Sequence, residues 1–214
     1  NKPLLVAAAI AGTGLVTLNA QKKTDQNVLF IVVDDLNTTL GCYGHPVVKT
    51  PNIDRLASMG VQFSNAYCNY PVSGPSRSSF LTGLRPESIT ILDNRTTLAS
   101  VLGDKITLPR LFRQNGFHTV GIGKVYHGKD QDNDPQGWDE VYGYGPTEIG
   151  KTGESRNMTD GALKWCEWMA ANGTDEDLQD GQNARKAVEF IKSKKDKPFF
   201  LALGFQKPHD PFIA

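Results

Sequence analysis

Apolar and polar positions alternate along this chain in blocks rather than residue by residue. Residues 28–33, Val-Leu-Phe-Ile-Val-Val, are wholly apolar. A short run of that kind predicts a central parallel strand covered on both faces. Pro198 to Phe205 has the same character, and Phe117 to Ile122 predicts a further strand. Thr50-Pro51 supplies an N-cap followed by a proline at the first helical position. Ile53, Leu56 and Ala57 give that helix one apolar face, and Gly60 ends it. Residues 61 to 68 predict a strand leading toward Ser73. Thr107 to Asn115 predicts a second capped helix with Gly116 as its stop. Residues 159–171 and 182–195 predict helices, the latter with Ala184, Ala187, Val188 and Ile191 as its buried stripe. The stretch 128–158, rich in Gly, Asp and Pro, predicts a long surface excursion. Strands alternating with helices imply an α/β fold, a central mostly parallel sheet flanked by helices with right-handed crossovers. In such sheets ligands bind beyond the carboxyl ends of the strands.

Composition narrows the picture at two places. The 214 residues carry no net charge, with 23 basic and 23 acidic side chains. No basic block or basic face with interleaved aromatics is present, so nucleic acid is not an expected partner. A local cationic pocket for an anion needs only a few side chains and stays open. Leu4 to Leu18 is apolar and uncharged, and Leu18-Asn19-Ala20 suits a signal peptidase. Residues 1–20 therefore read as the end of a secretory signal peptide, with a buried helix or a membrane anchor as the alternatives. On this reading the mature chain, 21–214, is exported to the periplasm or secreted, with no stable membrane insertion after cleavage. The first residue is Asn1 and the last, Ala214, follows an apolar strand and a loop, which reads as a fragment of a longer protein. Cys42, Cys68 and Cys166 have no zinc-like spacing; buried free thiols or one disulfide are expected.

The candidate chemistry lies in four polar clusters, each at a predicted strand end or helix start. Ser73-Gly74-Pro75-Ser76-Arg77 places a nucleophile-type residue just before a predicted helix whose far cap is Gly83. The helix N-terminus favours an anion at Ser73, and Arg77 can add a bidentate guanidinium. Alone, these residues also suit a capped surface helix. Asp34-Asp35 follows the first strand; adjacent carboxylates suit a hard cation such as Ca²⁺ or Mg²⁺, or an acidic turn. Lys124 and His127, in Gly123-Lys124-Val125-Tyr126-His127, can converge on one anion or sit unrelated in an exposed loop. Lys207-Pro208-His209-Asp210-Pro211-Phe212 holds His209 between prolines, which suits a positioned acid or a rigid solvent-facing turn. His45 and His118 lack motif support and read as structural or exposed.

The longer string from Ser73 to Gly83, S-x-P-S-R-x-x-x-L-T-G, resembles the signature of the formylglycine-dependent sulfatases at every fixed position. G-K-V-Y-H and K-P-H-x-P-F resemble the iduronate-2-sulfatase-like branch, and segments such as L-G-C-Y-G and T-P-N-I-D-R-L-A extend the resemblance over nearly all of 27–213. The resemblance implies an alkaline-phosphatase-like sandwich, here a partial domain: the N-terminal part of a sulfatase catalytic domain. It implies that Ser73 is oxidised to formylglycine, whose hydrate attacks sulfur. The serine version is similar to enzymes matured by a radical-SAM partner without oxygen. Asp34, Asp35 and modified Ser73 would hold Ca²⁺ or Mg²⁺. Arg77 and Lys124 would stabilise charge, with Lys124 touching sulfate. His127 would hydrogen-bond the formylglycine, His209 would protonate the leaving oxygen, and Lys207 is a weaker substrate contact. Further metal ligands and a second anion-contacting Lys would lie downstream. The implied substrate is a sulfated sugar, uronate-2-sulfate of a glycosaminoglycan foremost. Alternatives are a choline- or aryl-sulfatase, a phosphatase or phosphonate monoesterase of the same superfamily, or a non-catalytic glycan-binding relative.

Overall fold

A computed structural model describes residues 26–128, 133–193 and 196–214. The predicted signal peptide lies outside the described residues. Four strands form the central sheet: β1 (Val28–Val33), β2 (His118–Gly123), β3 (Glu140–Tyr142) and β6 (Phe199–Phe205). Their order is β1-β6-β2-β3 and every pairing is parallel. The last of them in sequence is thus the second in space, with Phe200 beside both Val28 and Thr119. That central place explains its unbroken apolar run.

Alternate residues of β6 feed two cores. Phe200 and Ala202 join Leu81, Ile91, Leu98, Tyr126 and Trp138, while Phe199, Leu201 and Leu203 join Val120, Ile122, Ala187 and Phe190. The Phe200 ring stacks on Phe112 with centroids 4.4 Å apart. Around the sheet lie α1 (Pro51–Met59), α2 (Ser73–Thr82), α3 (Leu98–Leu102), α4 (Leu108–Gln114) and α5 (Gln179–Lys192). A second sheet pairs β4 (Gly153–Asn157) antiparallel with β5 (Glu167–Ala171), and β5 parallel with β7 (Phe212–Ile213). Among the described residues no helix is long and apolar enough to cross a membrane.

Several expectations are corrected. Residues 61–68 form no strand; Val61 and Phe63 are exposed and no described strand pairs with them. Residues 159–171 are a turn followed by β5, because pairing with β4 satisfies a backbone that local composition assigned to a helix. The 128–158 stretch is not wholly surface: it contains β3 and buries Asn133, Asp134 and Trp138. In α5 the buried positions are Asn183, Ala187 and Phe190, so Val188 and Ile191 face outward. The apolar face of α1 is likewise exposed at Ile53 and Leu56. The cysteines are free, but Cys68 is exposed and the other two only half-buried.

Candidate active site at the strand ends

The carboxyl ends of β1, β6 and β2 are tied side by side. Asp34 N–H donates to the Phe205 carbonyl at 3.1 Å, and Lys124 N–H to the Gly204 carbonyl at 2.9 Å. Gly204 has to be glycine, since a Cβ there would collide with the Lys124 carbonyl. Absence of that one carbon lets the Lys124 loop fold across the end of β6.

Ser73 is the first residue of α2, not the residue before it, and Gly83 ends the helix in the left-handed region at φ 70°. The expected anion seat on free helix amides is smaller than the sequence suggested. Gly74 N–H donates to Asn94 Oδ1 at 2.7 Å, and Pro75 has no N–H to offer. Asn94 went unnoticed in the sequence because nothing local marks it as a cap for a helix twenty residues earlier.

Arg77 is 3% exposed and joins three segments. Its Nε donates to Ser73 Oγ at 3.1 Å, and one terminal nitrogen meets Asp34 Oδ1 at 2.8 Å. The other donates to the Lys124 carbonyl at 2.6 Å and the Val125 carbonyl at 3.0 Å. Four of the five guanidinium N–H donors are thereby engaged by protein. The free bidentate fork expected for an oxyanion is therefore not available; Arg77 orients Ser73 and carries charge beside it.

Asp34 is buried, and its second oxygen accepts from Lys124 Nζ. Burial alone raises its carboxyl, but hydrogen bonds from Lys124 and Arg77, with their charges, outweigh that and hold it below the ordinary value. It is an anion between two cations. His127 is pushed below the usual imidazole range, first by burial and then by Lys124 and Arg77, with Asp34 opposing. Its Nδ1 is a buried atom with no hydrogen-bond partner among the described residues. Asn133 holds the loop from behind: its amide donates to the His127 carbonyl at 2.9 Å and its oxygen accepts from Leu98 N–H. Buried Asp134 accepts from Tyr126, Thr107 and Arg110. The Gly/Asp/Pro composition of 128–158 concealed these two.

On the loop after β6, His209 Nδ1 lies 2.9 Å from Asp210 Oδ1 and 2.5 Å from the Asp210 carbonyl. Lys207 Nζ is turned to the carbonyls of His209 and Pro211 rather than outward, and burial pushes its ammonium down, with Asp180 and Asp210 opposing. The loop hangs on Asp180 of α5, whose carboxylate accepts from the N–H groups of Gln206 at 2.9 Å and Lys207 at 2.8 Å. Asp35, exposed and left-handed at φ 55°, does not join Asp34 in the cationic cluster. Its carboxylate approaches His209 and Asp210, each offering a ligand atom within 4.8 Å of the others. Adjacent Asp34 and Asp35 thus put oxygen donors able to hold a hard cation at the carboxyl end of β1. A cleft of about 460 Å³ opens beside Lys124, lined by Tyr142, Tyr144, Gln179, Asn183 and Gln206.

Comparison with known proteins extends well past these loops. The chain is 37% identical over 195 residues to iduronate 2-sulfatase of Mus musculus, covering 87% of this chain and 35% of that protein. It is 40% identical over 210 residues to a sulfatase of Formosa agariphila, covering 91% of this chain and 41% of the relative. The chain thus spans well under half the length of these curated relatives. Among solved structures it resembles BT4656 in complex with its substrate D-glucosamine-2-N,6-O-disulfate, with TM-score 0.61 and 28% identity over 87% of this chain and 35% of that one. The model of the Sulfatase family matches residues 26–214, from ahead of β1 through β7. Every segment that feeds the Asp34 cluster falls inside that match, and on it the chain belongs to the sulfatase family.

Proposed function

We propose that the polypeptide carrying this chain hydrolyses the sulfate ester of a sugar, with Ser73 as the source of its nucleophile. The observation that carries this reading is the convergence of Arg77 on Ser73 Oγ, Asp34 and the Lys124 loop at once. Oxidation of Ser73 to formylglycine by a radical-SAM partner would supply a hydrated aldehyde as nucleophile, which a serine hydroxyl is not. The residues fit that group, because buried His127 Nδ1 has no partner among the described residues and would hydrogen-bond it. Asp34 and Asp35, with position 73, would hold a divalent cation, Ca²⁺ in this reading, that polarises the sulfate. Their carboxylates supply hard oxygen donors, and Asp34 keeps lone pairs beyond those used by Arg77 and Lys124.

The chain's own residues account for the rest. A sulfate monoester has dispersed negative charge and a poor alkoxide leaving group. Arg77 fixes the side chain at position 73, and with Lys124 it places two positive charges where negative charge gathers. Both are largely buried, so water screens them little. His209 protonates the departing sugar oxygen. Lys207 orders the loop through its two carbonyl contacts.

Uronate-2-sulfate of a glycosaminoglycan is the substrate favoured here, supported by the likeness to iduronate 2-sulfatase and by Lys124, His127 and His209 in that branch's segments. The reading includes export, with residues 1–20 as leader. Unsaturated heparin and chondroitin disaccharides sulfated at the uronate 2-position or the hexosamine 6-position test it. Sulfate release is expected from the 2-O-sulfated set and not after Ser73→Ala. Release confined to 6-O-sulfated sugars would overturn the position, and release unaffected by Ser73→Ala would overturn the site.

A further inference from the structure

The segment K-P-H-x-P-F leaves one position open, and in this chain Asp210 fills it. We propose that Asp210 is a positioning residue for His209: it fixes the imidazole proton on Nδ1 and leaves Nε2 to serve the leaving group. The proposal rests on the sulfatase reading, with His209 as the acid.

Two acceptors of the same residue meet the same ring nitrogen. The Asp210 carboxylate is 2.9 Å from His209 Nδ1, and its main-chain carbonyl is 2.5 Å away. Neither oxygen can donate, so the hydrogen in both contacts belongs to Nδ1. Neutral His209 is therefore the Nδ1–H tautomer, and Nε2 is the nitrogen left to exchange a proton with a substrate. The backbone beneath is fixed independently of the ring. His209 N–H donates to the Gln206 carbonyl at 3.0 Å, Lys207 Nζ donates to the His209 carbonyl, and Asp180 holds Gln206 and Lys207. With the backbone held, the Asp210 contacts fix how the ring is turned. The Asp35 carboxylate within 4.8 Å of both side chains puts the pair at the end of β1, beside the Asp34 cluster.

The proton balance follows from that arrangement. Imidazolium enters with hydrogens on both nitrogens, Nδ1–H directed at Asp210. As sulfur passes from the sugar oxygen to the nucleophile derived from Ser73, the S–O bond to the sugar breaks and its electron pair stays on the sugar oxygen, which takes the proton from Nε2. His209 is left neutral with its remaining hydrogen still on Nδ1, and solvent returns the proton to Nε2 before the next cycle.

Two measurements on the native polypeptide that contains this chain test the assignment. The first is ¹⁵N–¹H imidazole NMR, with the His209 signals identified by their loss in His209→Gln. Neutral His209 is expected as the Nδ1–H tautomer, and Asp210→Ala, which removes the carboxylate but keeps the main-chain carbonyl, is expected to raise the Nε2–H share without abolishing the Nδ1–H form. A wild-type Nε2–H tautomer, or a tautomer unmoved by Asp210→Ala, overturns the proposal whatever the activity. The second is the leaving-group dependence of turnover. General acid–base groups contribute about 10²–10⁴-fold, so a residue that orients one is expected to contribute about ten- to a hundredfold. Asp210→Ala should lower kcat by that factor on a sugar sulfate and by less than about threefold on nitrophenyl sulfate, whose leaving group needs no proton. Asp210→Asn, which keeps one acceptor oxygen, should recover part of the loss. Equal losses on both substrates, accompanied by weaker Ca²⁺ binding, would overturn the proposal in favour of a cation held by Asp35, His209 and Asp210. If wild-type protein releases no sulfate from either substrate, the sulfatase reading fails, and the tautomer measurement still decides the role of Asp210.

Discussion

Two neighbouring loops contribute to the candidate site, and they are built in opposite ways. The loop after β2 is part of the core. Val125 and Tyr126 are fully buried, Arg77 caps two of its carbonyls, and its Lys124 is paired with Asp34. The loop after β6 is half-exposed and hangs from Asp180 by backbone hydrogen bonds. The first fixes charge by burial, so its chemistry and its stability cannot be separated. The second fixes a histidine by local contacts, so its chemistry can be altered while the fold stands. The β2 loop suits the unchanging part of the reaction, the anion. The β6 loop suits the part that varies with the leaving group.

The strongest way to break this contrast is Arg77→Ala. It leaves buried Asp34 with Lys124 alone and strips two carbonyls of their donor. Removing one partner of a buried ion pair costs about 3–5 kcal/mol, and a urea unfolding midpoint should report a loss of that size. A loss under about 1 kcal/mol, as for an exposed pair, would mean that the cluster is not the anchor described here. Asp180→Ala should cost less, about 1–3 kcal/mol, because it orphans two part-buried N–H groups. Its unfolding should leave the Arg77 cluster protected in amide exchange, which would sharpen the separation of the two loops.

Asp139 offers a smaller and pH-dependent test at the other end of β2. Burial raises its carboxyl, but hydrogen bonds from Thr119 and the charges of Arg113 and His118 outweigh that and lower it. A carboxyl lowered in the fold stabilises above its unfolded value, and that stability disappears as pH falls through the folded value. Wild type should therefore exceed Asp139→Asn by up to about 1 kcal/mol at neutral pH, since Arg113 is solvent-exposed, and the difference should disappear as pH falls through the lowered folded value. A difference that grows on acidification would contradict the assigned sign. The smallest expected change in stability is His209→Gln, within about 0.5 kcal/mol, although kcat on a sugar sulfate should fall by about 10²–10⁴-fold. A large stability loss there would erase the contrast between the loops.

What the sequence made legible follows the same division. The run 28–33 marks β1 correctly as a strand but not its place, since β1 is the edge of the described sheet and exposes Leu29 and Ile31. β2 and β6 are evident as apolar runs because strands buried on both faces leave little choice of residue. The second sheet was not. Glu167 to Ala171 has a helix-like composition, and Gly153 to Asn157 is almost wholly polar; only their mutual pairing makes them strands. The stripe of α5 was misplaced by a residue because polar Asn183 is a core residue there, lying against Gly123 and accepting from Tyr144 N–H. In the site, residue types and strand-end positions could be read directly. The bonds from Arg77 to the Lys124 loop could not, since they span 47 and 48 residues and exist only once β6 has inserted between β1 and β2. Asp35 shows the limit most clearly: its neighbour in sequence is Asp34, but the side chains it approaches are His209 and Asp210.

The central claim is that Ser73, held by Arg77, is converted into the nucleophile of a sulfate-ester hydrolase. Mass spectrometry of the tryptic peptide 56–77, from protein co-expressed with a radical-SAM maturase, tests it most directly. The expected peptide is lighter by two hydrogens, with the change at Ser73 and at no other serine. Unmodified serine at position 73 in protein that nevertheless releases sulfate would contradict it.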